Sequence, residues 1–274
     1  MAVTAPACGG DAQQTSPGAQ PTATNRDEPA APASPTEAPA ASQTASSPPP
    51  AGEAPTTAPA ITPGGLGTGQ VVIDDTPIDY VTVVPTGFEL GETAPVMLAI
   101  APGSQDFELT RRIVESTYIT EALARGWVVI SPAAPNSTLY FQGSETLIPG
   151  LLAWVDTWVV SEGGSPHLVG VSNGGISSFR IAAQDPSSIQ SLLVFPGFAR
   201  SDEDRAALPS MVDIPVRLFV GADDMGWIPA MQETHDILLN AGADVTLEIL
   251  PGEGHRIESL SDGVRIFDEL DALR

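Results

Sequence analysis

The chain has 274 residues, 34 of them acidic and 11 basic, for a formal net charge of −23. Every basic side chain is an arginine, and so acidic a chain is repelled by nucleic acid and by anionic lipid headgroups. The single cysteine, Cys8, excludes an intrachain disulfide and a cysteine-built zinc site.

Residues 1–8 end in "APAC". This resembles the end of a bacterial lipoprotein signal, with small Ala7 ahead of a cysteine that becomes lipidated. It predicts an extracytoplasmic protein, at the cell surface or secreted, attached to a membrane through Cys8. The alternative is a surface cysteine in a tail. Residues 9–68 follow, mostly Ala, Pro, Thr, Ser and Gln. Between Val3 and Ile61 there is no Val, Ile, Leu, Met or aromatic residue. Such a stretch buries too little apolar surface to offset its ordering entropy, which predicts a disordered, semi-rigid tether. No run in the chain approaches the ~18 apolar residues of a membrane span.

Residues 69–274 alternate strand and helix signals. "QVVID" and "YVTVVP" read as an antiparallel hairpin at a sheet edge. "PVMLAIAPG" reads as a buried strand ended by Pro-Gly. Glu108 to Arg125 reads as one helix, with Ile113, Ile119, Ala122 and Leu123 on one side and Gly126 as the stop. "WVVISP" is the next strand. Ala133 to Thr146 is non-periodic and contains "LYFQGS", whose Tyr140 and Phe141 are candidates to wall a pocket; ordinary loop packing is the alternative. Leu147 to Val160 has helical length. "HLVGV" is a strand, Gly174 to Ala183 a helix, and "SLLVFPG" and "VRLFVGA" two further strands. Gly197 to Asp213 is again non-periodic. Ile228 to Asn240 is a helix, "VTLEILPG" a strand, and Ser259 to Leu273 a closing helix. Strands separated by helices predict a mostly parallel sheet covered on both faces, with chemistry just beyond the strands' carboxyl ends.

The residues that follow the strands carry the chemistry. Gly170-Val171-Ser172-Asn173-Gly174 matches Gly-x-Ser-x-Gly between a strand and a helix, the setting of a nucleophile elbow. The tight turn needs glycine at 170 and 174 and pushes the Ser172 hydroxyl out above the sheet. Serine needs a base to take its proton. Of three histidines, His167 lies at the far end of the elbow strand and His235 within a helix. His255, in "LPGEGH" directly after a strand, is the candidate base. "FVGADDMGW" offers Asp223 and Asp224 as the carboxylate that orients it. Adjacent side chains in an extended loop point apart, so only one can face His255. Trp227 either lines a pocket or packs. Glu253 beside His255 raises the question of a metal, but only one histidine is near; neither metal nor cofactor is expected.

The order Ser172, Asp, His255 is that of the α/β-hydrolase triad. On these residues the domain resembles α/β-hydrolase fold serine esterases without a cap, of the dienelactone hydrolase, feruloyl esterase and polyhydroxyalkanoate depolymerase type. The resemblance implies that the acid stands three residues after the glycine ending its strand, which favours Asp224 over Asp223. It implies an oxyanion hole from the N–H of Asn173 and that of Ser104 or Gln105 in "APGSQD". Pro102-Gly103 stands there where those families often have His-Gly. The expected activity is hydrolysis of small or polymeric carboxylic esters through an acyl-enzyme. The alternative is a tethered binding protein that keeps the fold without catalysis.

Overall fold

The computed structural model describes residues 57–274. Cys8 and the expected tether up to residue 56 lie outside them. The eight strands of the main sheet are β1 (Gly65–Ile73), β2 (Thr76–Val84), β3 (Val96–Ile100), β4 (Val128–Pro132), β5 (His167–Gly170), β6 (Ser191–Val194), β7 (Val216–Gly221) and β8 (Val245–Leu250). They lie in the order β1-β2-β4-β3-β5-β6-β7-β8. The β1–β2 and β2–β4 pairs are antiparallel, and every other pair is parallel. The edge hairpin is therefore β1–β2, Gly69 facing Tyr80 in its register.

The domain starts earlier than composition suggested. Strand β1 begins at Gly65, inside the stretch read as tether. Upstream of it, Trp154 Nε1 donates to the Thr57 carbonyl at 2.7 Å, and the Ala60 N–H donates to the Tyr80 hydroxyl at 2.8 Å. Both bonds set this segment's backbone against a side chain of the domain, which a segment poor in apolar side chains can still do.

Among the described residues the α-helices are α1 (Phe107–Ile113), α2 (Ile119–Arg125), α3 (Ile148–Val155), α4 (Asn173–Gln184), α5 (Asp202–Ala207) and α6 (Ile228–Ala241) between strands, and α7 (Val264–Ala272) after the last one. Among the described residues none is long and apolar enough to cross a membrane. Each face of the sheet has its own apolar cluster. Trp154 of α3, Phe179 of α4 and Met231 of α6 pack on one face. Val114, Tyr118, Ala122 and Phe267 of α7 pack on the other.

Three elements differ from the sequence expectation. The single helix expected over 108–125 is two helices joined by a π-helical turn, Val114–Tyr118. Its buried residues are Thr110, Val114, Tyr118 and Ala122, each four apart, while Ile113, Ile119 and Leu123 pack at the margin. In a straight α-helix each step of four overshoots one turn by about 40°, and the wider π turn returns the row to the sheet. Helix α3 ends at Val155, where turns carry the chain on to Trp158. The stretch 197–213 holds a short helix, α5, started by a capping box between Ser201 and Asp204. Six residues show too little periodicity to read.

His167 starts β5 and is 1 % exposed, with Nδ1 2.6 Å from Ser191 Oγ and its ring edge-on to Trp127. Burial, with Arg274 nearby, pulls its pKa down from 6.5 to about 4. The unfolded chain therefore binds more protons between those two values, and stability falls as pH drops through that window. The loss is expected to reach up to about 3 kcal/mol. Urea unfolding of the wild type and His167→Gln at pH 7 and pH 4.5 should show a smaller pH dependence in the variant. Equal dependence would remove His167 from the account.

Candidate active site

The site forms where β3, β5, β7 and β8 end. Ser172 follows β5 with φ 55° and ψ −118°, a conformation that L side chains rarely adopt. It is held by its own N–H, which donates to the Pro196 carbonyl at 2.7 Å, and by its carbonyl, which accepts from Ile176 at 3.0 Å. Helix α4 then passes so close to β3 that a Cβ on Gly174 would lie 2.1 Å from the Ile100 carbonyl oxygen. Only glycine permits that approach.

A line of hydrogen bonds runs from this serine. Ser172 Oγ lies 2.9 Å from His255 Nε2, and His255 Nδ1 lies 2.7 Å from Asp224 Oδ2. The carboxylate accepts the Nδ1 proton, which leaves Nε2 free to accept from the serine. The Asp224 side chain is only 10 % exposed, the imidazole 45 %. Asp223 is exposed, and its N–H donates to the Glu253 carbonyl. Of the two aspartates the structure brings Asp224, not Asp223, to His255. His235 pairs with its neighbour Asp236 on α6 and takes no part.

Glu253 has a local task that sequence did not suggest. Its carboxylate accepts from the N–H groups of Glu258 and Ser259 at 2.8 and 3.1 Å, closing the loop that carries His255. The Glu258 N–H holds that carboxyl below its usual range. Among the described residues no group of three or more His, Cys, Asp and Glu is placed to hold a metal ion.

The loop after β3 separates the two donors expected from it. The Gln105 N–H is already bonded to the Pro102 carbonyl at 3.1 Å, so it faces no substrate. The N–H groups of Ser104 and Asn173 have no acceptor among the described residues. Gln105 instead anchors the loop. It is fully buried with φ 53°; its Nε2 donates to Ser177 Oγ at 2.9 Å and its Oε1 accepts the Tyr140 N–H at 3.1 Å. Asn173 Nδ2 donates to the Gly103 carbonyl at 2.9 Å. Two side chains thus tie this loop to helix α4.

The pocket candidates fall elsewhere. Tyr140 is fully buried with its hydroxyl donating to the Ala133 carbonyl, and Phe141 is buried with Arg200 over its ring. Both pack the interior rather than wall a pocket, because the Gln105 and Ser177 bonds to their backbone draw them inward. Trp227 packs between Phe198 and the imidazole of His255, its ring centroid 4.7 Å from the latter. The cleft beside Ser172 and His255 is lined instead by Leu109, Ile113, Ile257 and Leu260, which periodicity marked at most as core.

No family model matches the chain, and no curated protein sequence matches it. Solved structures do match. An esterase from Rhizomucor miehei is similar at 15 % identity and TM-score 0.58, over 76 % of this chain and 82 % of that one. A dienelactone hydrolase from Anabaena variabilis is similar at 18 % identity and TM-score 0.53, over 76 % and 96 %. An S-formylglutathione hydrolase from Agrobacterium tumefaciens is similar at 14 % identity and TM-score 0.55, over 76 % and 94 %. The chain has the α/β-hydrolase fold.

The anchoring role of Gln105 can be measured without any substrate. Gln105→Leu orphans the buried Tyr140 N–H and should cost about 2 kcal/mol in chemical denaturation. A variant as stable as the wild type would show that the loop is held by other means.

Proposed function

We propose that this protein is a serine hydrolase that cleaves carboxylic esters through an acyl-enzyme. The observation that carries the reading is the unbroken line Ser172–His255–Asp224, starting at a strained serine between strand and helix. Neighbours named as esterases and hydrolases agree with it at the level of the fold.

In this mechanism Ser172 Oγ attacks the acyl carbon while its proton passes to His255 Nε2. The carbonyl electrons move to oxygen, and the N–H groups of Asn173 and Ser104 stabilise that charge. The carbon–alkoxide bond then breaks as His255 returns the proton to the departing alcohol. Water repeats the sequence and releases the acid, with Ser172 regaining its proton. Asp224 fixes the tautomer and stabilises the imidazolium in both halves. Extracytoplasmic attachment through Cys8 belongs to the same proposal on sequence grounds alone.

Ser172→Ala should lower kcat on p-nitrophenyl acetate by a factor on the order of 10⁴ or more. A fluorophosphonate probe should label the wild type at Ser172. An unlabelled, inactive wild type would favour the binding-protein alternative. Asp224→Asn should lower kcat on the order of 10² to 10⁴-fold, whereas Asp223→Asn should change it less than about twofold. The reverse ranking would assign the acid to Asp223.

A further inference from the structure

A half-open cleft of about 720 Å³ begins at Ser172 and His255. Leu109 and Ile113 of α1 form one wall, and Ile257 and Leu260, just past His255, the other. Tyr118, Phe195, Ile257 and Leu260 are buried, while Arg112, Ser116 and Arg256 are exposed. The deep part is therefore apolar and the rim polar.

The two walls are fixed to one another. Gly263, at the head of α7, sits where a Cβ would lie 2.1 Å from the Thr117 carbonyl of the π turn. Arg125 at the end of α2 bonds Asp268 and Asp271 of α7 at 2.7 and 3.0 Å, and Trp127 Nε1 donates to Asp271 at 2.9 Å. These contacts join the segment that follows α1 to the helix that follows residues 257–260. A preformed, largely apolar hollow of this size is the usual form of a small-molecule site. At about 30 Å³ per water-sized group it has room for roughly twenty, far more than an acetyl group fills.

We infer that the substrate is an ester carrying an apolar chain or ring of roughly six to ten carbons on one side of the ester bond, seated between α1 and residues 257–260. This rests on the serine-hydrolase reading. Ser172 and His255 both line the cleft, so a group inside it is adjacent to the atom attacked. Moving it there from water removes apolar surface, at a gain of about fourfold in affinity per methylene. The rim arginines and hydroxyls leave the ester end solvated.

The test is a pair of substrate series. One runs from p-nitrophenyl acetate to p-nitrophenyl decanoate; the other runs through acetates of ethanol to decanol. In one series kcat/KM should rise at least tenfold from the shortest member to a six- to ten-carbon member, and the series that rises identifies which side of the ester enters. Leu109→Trp and Ile113→Trp, on the half-buried wall, should each lower the ratio of long- to short-chain kcat/KM at least tenfold. A wild-type profile that is flat or falls with length in both series overturns the inference, and needs no variant to do so. A rising profile whose ratio survives in both folded variants also overturns it. Fluorophosphonate labelling separates the two proposals: labelled Ser172 with a flat profile removes only the cleft, whereas unlabelled Ser172 removes the serine-hydrolase reading.

Discussion

The site depends on one close approach, that of the first turn of α4 to the end of β3. With Gly174 against the Ile100 carbonyl, the chain turns from strand to helix across only Val171 and Ser172. Of these two, Ser172 takes a positive φ at a cost of about 1–3 kcal/mol. The bonds to Pro196 and Ile176 and the burial of Phe179 and Ile181 along α4 offset it. The same turn leaves the Asn173 N–H unsatisfied at the helix start, beside the serine hydroxyl.

From that helix the rest of the site is positioned in two different ways. The loop after β3 is tied to α4 twice, by the buried bond from Gln105 to Ser177 and by the exposed bond from Asn173 to the Gly103 carbonyl, and these hold the Ser104 N–H relative to Ser172. Arg180, further along α4, adds bonds to Asp204 and to the Phe141 carbonyl. His255 stands on an exposed loop, with Asp224 on one nitrogen, Ser172 on the other and Trp227 against the ring. Glu253 closes that loop through local backbone bonds. In the proposed reaction these tethered donors would meet the charge that builds on the substrate oxygen, while a proton moves through the more exposed imidazole.

The acidic excess shapes the surface more than the site. Most arginines are absorbed by carboxylates, as in Arg125 with Glu121, Asp268 and Asp271, or Arg217 with Asp244. Exposed pairs such as Arg256–Glu258 add little stability. The Arg125 group matters for another reason, since it joins α2 to α7 behind the cleft.

The sequence by itself determined the alternation of strands and helices, the elbow at Ser172, and the histidine that a strand end delivers to it. These follow from local signals: apolar runs of strand length, glycines flanking a serine, and a loop beginning where a strand stops. Local signals could not choose between Asp223 and Asp224, because neighbouring residues differ only in which way the loop turns them. Nor could they show that the Gln105 N–H is taken by the Pro102 carbonyl, that residues 57–68 join the domain, or that Tyr140 and Phe141 turn inward. The row Thr110, Val114, Tyr118, Ala122 needed a π turn that only packing on the sheet selects. The cleft was least legible of all. Its walls come from residues about 150 positions apart in the chain, and packing on the sheet and between α2 and α7 brings them to either side of Ser172.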